Sequence, residues 1–357
     1  MRNIFKNIRS TRLKIFLVLT GFVLLLVGCV FLDSVSILQT QEDGTQAPIA
    51  KAGTEATFTL KGHIESQEDH GDVQFIVSFL APKSWNVRKN AKVMYKTTLH
   101  TNPDEELKMS IVPESSLPKS AGGRTWGQAL FQEYGVGPNV LSDMEWVTFA
   151  TDAKWAIFNG DKPTYTIYIR TNVGEKNLKA YLGFFVNHTD DGISDNIKHR
   201  KVEFSDTPFE VVGGTGLMID YSREHFNKVQ PLSVLQDDYV TFSFNGGIFQ
   251  NDLISSQEIY FEGTAYDENG VVIAEVNEKS SKTLLKKETN YNQIYSFTMW
   301  PTNYFTVPEG KLIKRIEYVF TNKNRTVIIT QSDDDFAIKG TPIVGDKKPF
   351  VFELLCD

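Results

Sequence analysis

Alternation of apolar and polar residues with a period of two is the feature that most constrains the fold of this sequence. Val73, Phe75, Val77 and Phe79 stand at every second position, and the segment 165–170 repeats the pattern. Successive side chains of a β-strand point to opposite faces, so this period indicates strands. Six further segments, each bounded by Gly, Pro, Asn or Asp, have the same character: 57–64, 179–186, 239–244, 258–266, 294–299 and 312–320. Many short strands with such punctuation predict an all-β chain of antiparallel sandwiches.

The chain has 357 residues, enough for two domains. Strand patterning restarts with different spacing after the glycine-rich segment 212–216, so we predict two immunoglobulin-like β-sandwich domains, at 29–212 and 213–357. One helix is expected in the first domain, because Thr125 and Gln128 form a capping-box pair and Gly135 can end the helix. This helix lies within an irregular insertion at about 113–143.

The amino terminus has the pattern of a secretory signal. Residues 1–28 hold five of the 37 basic residues and none of the 44 acidic ones, and an apolar run at 15–27 follows them. The run ends in Leu26-Val27-Gly28-Cys29, which resembles the bacterial lipobox, so we predict a signal peptide at 1–28 and lipidation of Cys29. The alternative is a permanent membrane helix at 15–32, a length that can just span a bilayer.

The residues after Cys29 favour the lipoprotein interpretation. Phe31, Val35 and Ile37 alternate with less apolar neighbours, and only Asp33 interrupts the alternation. This is the period of a strand and not of a continuing membrane helix. The second cysteine, Cys356, is interpreted as a free thiol near the end of the chain.

Catalytic and nucleic-acid-binding patterns are lacking in the sequence. The chain beyond residue 28 is acidic, which disfavours binding to phosphate backbones. No G-x-S-x-G elbow is present, and the six histidines show no H-E-x-x-H spacing, so neither nucleophilic catalysis nor a transition-metal site is expected. A glycoside hydrolase needs only two carboxylates, and it remains an alternative with four candidate residues: Asp143, Glu145, Glu258 and Glu262.

One loop carries enough oxygen donors for a calcium ion. Asn187, Asp190, Asp191 and Asp195 surround Gly192 between predicted strands, and calcium binds six to eight oxygens. The same residue types are also typical of a plain tight turn, which stays open as the alternative. Apart from calcium no cofactor is expected. The acidic run at 333–335 is interpreted as a solvated turn.

Carbohydrate binding is the sharper hypothesis for this chain. A sugar ring stacks its C–H face on an exposed aromatic side chain while polar groups bind its hydroxyls. Trp300, Asn303, Tyr304 and Phe305 follow a strand and are the best candidates for such a platform. The alternative is a hydrophobic plug at the end of the sandwich. Two further candidates, for which core packing is the alternative, are Trp126 and Trp85.

Several motifs resemble a family of uncharacterised Bacteroidetes lipoproteins found in or near polysaccharide-utilisation loci. They are FLAPKSWN at 79–86, DMEWV at 143–147, GFFV at 183–186 with DDG at 190–192, and WP at 300–301 followed by PEGK at 308–311. The resemblance implies an outer-membrane-attached, immunoglobulin-like protein associated with glycan capture. An acidic cluster after the cysteine, frequent in surface-exported lipoproteins of this phylum, is reduced here to Asp33.

The sequence therefore predicts a non-catalytic outer-membrane lipoprotein, in the cell envelope and on either face of the membrane. Its expected partners are the membrane through its lipid, a polysaccharide or oligosaccharide, and outer-membrane transporter components, with no nucleic acid among them. A structural or assembly lipoprotein that uses the same loops for protein contacts is the alternative.

Overall fold

The computed structural model describes residues 29–193, 201–340 and 342–355. The chain forms two compact units, the first ending at Ser222 and the second beginning at Arg223. Both are built from packed β-sheets with few short helices, which confirms the prediction of an all-β chain of two β-sandwich domains with a short helix in the first.

The strands of the first unit follow one another in this order: β1 (Cys29–Ser36), β2 (Gln39–Thr40), β3 (Gln46–Ala47), β4 (Ile49–Lys51), β5 (Glu55–Glu65), β6 (His70–Val73), β7 (Phe75–Pro82), β8 (Lys92–Thr97), β9 (Leu107–Ile111), β10 (Met144–Thr151), β11 (Trp155–Ile157), β12 (Thr164–Asn172), β13 (Lys176–Ala180), β14 (Gly183–His188), β15 (Lys201–Phe204), β16 (Phe209–Val212) and β17 (Thr215–Asp220). A 3₁₀ turn at Lys83–Trp85 and two helices, α1 (Val87–Asn90) and α2 (Trp126–Tyr134), interrupt them.

The strands of the second unit are β18 (Asn227–Gln230), β19 (Val240–Asn245), β20 (Ile259–Tyr266), β21 (Val272–Val276), β22 (Lys286–Lys287), β23 (Ile294–Met299), β24 (Arg315–Asn322), β25 (Ile328–Ile329) and β26 (Phe350–Glu353). Its helical segments are a 3₁₀ turn at Leu253–Ser255, α3 (Pro301–Tyr304) and α4 (Gln331–Lys339).

Two sheets enclose the core of the first unit. A nine-stranded sheet runs in the order β1-β5-β12-β8-β9-β10-β7-β14-β15, and a four-stranded sheet runs β17-β13-β16-β4. Phe58 of the large sheet lies 5.2 Å, centroid to centroid, from Phe209 of the small one, and Trp85 lies 5.9 Å from Phe209. The core therefore depends on aromatic rings contributed by both sheets.

Strands β7 and β14 are buried along their whole lengths. The predicted helix, here α2, begins with the expected capping box of Thr125 and Gln128 and ends at Gly135. It packs on β10, where a Cβ added at Gly127 would lie 2.7 Å from the Trp146 carbonyl oxygen, so a larger residue would push the helix off the sheet.

Strand β1 begins at Cys29 itself, where the backbone pairs with Glu65 of β5. Its register shifts between Leu32 and Ser34, which places a bulge at Asp33, the residue that interrupts the alternation in the sequence. Asp33 accepts a hydrogen bond from His63 Nδ1 at 2.8 Å. The polar residue is thus accommodated by a local irregularity of the strand.

The segment 179–186 is two strands and not the single strand predicted. The chain leaves the small sheet at Ala180 and enters the large sheet at Gly183. Between these residues, the Asn139 side chain donates a hydrogen bond to the Tyr181 carbonyl and accepts one from the Tyr181 amide. The sequence gives no sign of the change of sheet, because both strands contribute apolar residues to the core, β13 at alternate positions and β14 along its whole length. The division between the units falls after Ser222, beyond the predicted division at 212/213, because β17 pairs in parallel with β13.

The second unit packs the sheet β18-β19-β23-β22 against the sheet β21-β20-β24, which β25 and β26 extend by pairing with β24. Phe242 of the first sheet is fully buried and lies 4.9 Å, ring to ring, from Tyr318 and 5.1 Å from Phe261 of the second. The core of this unit is aromatic like that of the first.

The acidic run at 333–335 is not the solvated turn predicted. Thr330 and Asp333 form a capping box at the start of α4, and Asp334 is completely buried. Asp334 accepts hydrogen bonds from the Phe226 amide at 2.7 Å and from His225 Nδ1 at 2.6 Å. The carboxylate thus links α4 to the segment that leads into β18.

The predicted signal peptide at 1–28, the side chain of Cys29, and Asp195 and Cys356 lie outside the described residues. Within the described part of the chain, no helix combines the length and the apolar character needed to cross a bilayer.

Candidate functional site

An exposed aromatic pair lies at one end of the β19–β23 ladder in the second unit. Val240 pairs with Met299, and both are buried. Because side chains alternate along a strand, the next residues, Tyr239 and Trp300, lie on the opposite face. Their exposed fractions are 69% and 40%, against 4% for Met299. We call Tyr239 and Trp300, together with Asp237 and Thr302 beside Trp300, the aromatic face.

Hydrogen bonds fix the Trp300 ring. Its Nε1 donates to Asp237 Oδ1 at 3.2 Å, and the Thr302 hydroxyl donates to the same oxygen at 2.7 Å. The Thr302 amide also donates to the Gln236 carbonyl at 3.1 Å, which ties α3 to the turn before β19. An indole held in this way presents its apolar surface with little remaining rotamer freedom to lose on binding.

Hydroxyl groups continue the same outer surface of the sheet. Thr241 pairs with Thr298, and their hydroxyl oxygens lie 2.8 Å apart, while Ser243 pairs with Ser296 in the next outward row. Lys286 stands opposite Ser296 on β22. The aromatic face therefore borders a strip of hydroxyl donors and acceptors.

Of the sequence-predicted platform, Trp300 and Asn303 are exposed and two members are not. Tyr304 and Phe305 are 7% and 2% exposed and belong to the core of the second unit, where the Tyr304 ring contacts both Phe261 and Phe305. Burial and the charge of Glu278 raise the pKa of Tyr304 well above its ordinary value. These two residues form the hydrophobic plug and cannot stack on a ligand.

The two tryptophans of the first unit are also in the core. Trp126, the first residue of α2, is 5% exposed and packs near Phe185. Trp85 is 0% exposed among Phe58, Phe79 and Phe209. A side chain without solvent access offers no ring face to a ligand, so Trp85 and Trp126 are not binding residues.

Tyr239 was missed as a binding candidate. The predicted strand 239–244 begins with it, and buried Phe242 and Phe244 share parity with Val240, so a strict reading of the alternation would have placed Tyr239 on the outer surface. Its position beside Trp300 depends on the pairing of β19 with β23, which the sequence does not state.

The four carboxylates considered for hydrolysis each lie beside a basic side chain. Asp143 lies 3.3 Å from Lys83 Nζ and Glu145 3.6 Å from Arg88 Nε. In the second unit, Glu258 lies 3.5 Å from Lys323 Nζ, and nearly buried Glu262 contacts Lys279 Nζ and, at 2.9 Å, Arg325 Nε. These contacts are those of structural ion pairs.

The loop predicted to hold calcium has a different set of neighbours. Asn187 donates to the Gly192 carbonyl at 2.7 Å, which closes the turn. Asp190 Oδ2 lies 3.5 Å from His70 Nδ1, and Asp191 Oδ2 lies 3.0 Å from His188 Nε2. The structure therefore combines two histidines, distant in the sequence, with the acidic loop; the sequence offered no spacing that would have joined them.

Two family models match the chain. One, described as "Domain of unknown function (DUF4961)", matches residues 32–225, and the other, "Domain of unknown function (DUF8578)", matches residues 227–329. A comparison with curated proteins returns no match.

Two structures of bacterial proteins are among the solved structures similar to the chain. The C-terminal domain of the Streptococcus pyogenes antigen I/II-family protein AspA is 11% identical, with 85% of this chain and 98% of that chain covered and a TM-score of 0.25. BcpA, the major pilin subunit of Bacillus cereus, is 8% identical, with 90% and 74% covered and a TM-score of 0.22. These values carry no inference about ligands or partners.

Proposed function

The chain belongs to the DUF4961 family, and from that premise we propose that it is a non-catalytic, lipid-anchored protein of the bacterial cell envelope that binds a polysaccharide or oligosaccharide. The observation that carries the proposal is the aromatic face, where Trp300 and Tyr239 are both exposed, each next to a member of the pair Val240–Met299, while Tyr304 and Phe305 are buried. Sugar binding uses such a surface because C–H groups stack on the ring and hydroxyls bond to neighbouring polar groups.

The polar surroundings fit the hydroxyl rim of a sugar. Asp237, Thr298 and Asn303 are exposed beside or near the two rings, and Thr241 and Ser243 extend the donors along the sheet. Exposed rings and a strip of hydroxyl groups along one sheet surface suit an extended chain of sugars bound weakly at several points. Attachment near a membrane would then raise the effective concentration of the binding face.

The binding test uses the full chain on a glycan array, followed by calorimetry with the best ligand. Trp300→Ala and Tyr239→Ala are each expected to weaken binding about tenfold or more, which corresponds to about 1.4 kcal/mol of lost stacking. Asp237→Ala is expected to weaken it less, because the indole remains but is no longer fixed by its hydrogen bond. Tyr291→Ala is the matched control, since Tyr291 is a fully exposed aromatic of the same unit outside the aromatic face.

Unchanged affinity in both Trp300→Ala and Tyr239→Ala would contradict this site. Release of reducing sugar from a bound polysaccharide would favour a hydrolase, and a chain that binds no glycan but co-purifies with envelope proteins would favour the assembly role. Loss of folding is separated from loss of contact by the unfolding temperature, which we expect to be unchanged in all four variants.

The anchor is tested at Cys29. Intact-mass measurement on protein from a membrane fraction is expected to show removal of residues 1–28 and addition of acyl chains, since two or more chains are needed for stable attachment. Cys29→Ser should abolish acylation, and Cys356→Ser, the matched control, should leave it unchanged. Because β1 begins at Cys29, the acyl group would join the folded first unit directly. An unacylated, unprocessed wild-type protein would overturn the anchor without bearing on the aromatic face.

A further inference from the structure

Two histidines and an aspartate meet at one edge of the first unit. His70 begins β6, His188 ends β14, and Asp190 follows in the next turn. One ligand atom from each of the three lies within 4.8 Å of the others. The two imidazole rings lie 5.1 Å apart, centroid to centroid, at an angle of 63°.

A buried nitrogen provides the second, independent observation. His188 is only 4% exposed, and its Nε2 lies 3.0 Å from Asp191 Oδ2. Its other ring nitrogen, Nδ1, is buried and has no hydrogen-bond partner among the described residues. Leaving a buried polar atom unpaired is unfavourable, and a bound ion at this position would satisfy it.

His70 points to the same conclusion. Its ring nitrogens lie 3.5 Å from Asp190 Oδ2 and 3.8 Å from Glu68 Oε1, longer than the roughly 2.7–3.2 Å of an N–H···O hydrogen bond. Ligand atoms of a tetrahedral zinc site, with bonds of about 2.0–2.2 Å, stand about 3.2–3.5 Å apart. The 3.5 Å separation of His70 Nδ1 and Asp190 Oδ2 matches this spacing, and the three ligand atoms together lie within 4.8 Å of one another.

We propose that His70, His188 and Asp190 bind a divalent transition-metal ion, with Zn²⁺ the expected one. Two imidazole nitrogens and one carboxylate oxygen suit zinc and its neighbours, whereas calcium and magnesium take oxygen ligands. Asp191 acts on the other ring nitrogen of His188 as a positioning residue, the arrangement in which a carboxylate orients a metal-binding histidine.

The charges around the cluster are mixed. Glu68 and Asp191 add negative charge, while Lys119 Nζ lies 3.3 Å from Asp190 Oδ1 and competes with a cation for that carboxylate. The Lys119 side chain is 64% exposed, so it can turn into solvent when an ion binds. A bound ion would link β6 to the turn after β14, where Ile193 already bonds to the Lys119 carbonyl at 2.9 Å.

The test is a Zn²⁺ titration of the full chain, purified without a histidine tag, together with the absorption spectrum of the Co²⁺ form. Wild type is expected to bind one equivalent and to show the d–d bands of four-coordinate cobalt. His70→Ala and His188→Ala should each weaken binding at least tenfold, and Asp191→Asn about tenfold to a hundredfold. Lys119→Met is expected to tighten binding, because it removes the competing cation.

His100→Ala is the matched control, since His100 is a histidine of the same unit that lies in a turn with its Nδ1 at 3.0 Å from the Asn102 carbonyl oxygen. If His188→Ala fails to fold, metal binding by Asp190→Ala tests the site instead, because the Asp190 side chain is 41% exposed and its loss leaves the core intact. Added Zn²⁺ should raise the unfolding temperature of wild type and of His100→Ala, but not that of His70→Ala.

Three results would overturn the proposal. One is that neither Zn²⁺ nor Co²⁺ binds; another is that both bind equally well to wild type, His70→Ala and Asp190→Ala. The third is binding of Ca²⁺ that Asp190→Ala abolishes and His70→Ala leaves unchanged, which would assign the loop to a hard cation. None of these outcomes bears on glycan binding at the aromatic face, which lies in the second unit.

Discussion

Replacing Trp85 by alanine is expected to lower the free energy of unfolding of the first unit by about 3–5 kcal/mol, the usual range for removing a large buried aromatic. Trp85 is 0% exposed, and its ring stacks nearly parallel to Phe58 at 6.1 Å while Phe209 meets it edge-on at 5.9 Å. Its removal leaves a cavity between the two sheets that neighbouring rings, themselves fixed by packing, fill only in part.

The measurement is chemical denaturation of the full chain, with hydrogen exchange of β5 and β7 to assign the change to the first unit. Trp85→Phe should lower the free energy of unfolding much less than Trp85→Ala. It keeps a ring in the site and removes an indole N–H that has no partner among the described residues. Phe158→Ala is the control, since that side chain is 59% exposed, and it should change stability by about 0.5 kcal/mol or less. A Trp85→Ala protein as stable as Phe158→Ala would contradict the buried position.

Replacing Asp334 by alanine is expected to destabilise the second unit by about 3 kcal/mol, the scale seen when one partner of a buried polar pair is removed. The carboxylate is completely buried and accepts from both the Phe226 amide and His225 Nδ1. Without it the amide loses its acceptor where water cannot replace it, and an unsatisfied buried group alone costs about 1–3 kcal/mol.

Asp335→Ala is the matched control on the same helix. Its carboxylate is 43% exposed and contacts Lys339 and Gln331 on the surface of α4, so the expected loss of stability is about 0.5 kcal/mol or less. The stability of Asp334→Asn should lie between those of Asp334→Ala and Asp335→Ala. Its amide oxygen can still accept a hydrogen bond from the Phe226 amide, while its NH₂ group faces His225 less favourably. Equal stabilities of Asp334→Ala and Asp335→Ala, measured by thermal and urea unfolding, would show that the buried carboxylate does not hold the helix.

Local patterns in the sequence were sufficient for much of the fold. The alternation predicted β23 at its exact bounds and β5, β12 and β20 within two residues at either end, because each strand buries one face. The capping box of α2 was equally local, since both partners lie in one turn. A similar pair, Thr330 and Asp333, was present before α4 and would have corrected the solvated-turn interpretation.

The candidate sites depended more strongly on long-range pairing. Trp300 was identified from the sequence, but Tyr239 joins it only through the register of β19 and β23. Tyr304 and Trp85 have the same residue chemistry as exposed platform residues, and only packing against other rings places them in the core. The histidine cluster could not be predicted from the sequence, because His70 and His188 are far apart in the chain and form no local motif.

By itself, the sequence determined that this protein is built of strands, where most of those strands run, and that an aromatic segment follows β23, since these features follow from side-chain alternation and turn chemistry within a few residues. The tertiary structure alone determined which aromatic rings are exposed to solvent, that Asp334 is buried, and that two histidines distant in the sequence lie close to one aspartate. Sheet order and register are set by the burial of whole faces against each other, and that free energy is distributed over residues far apart in the chain.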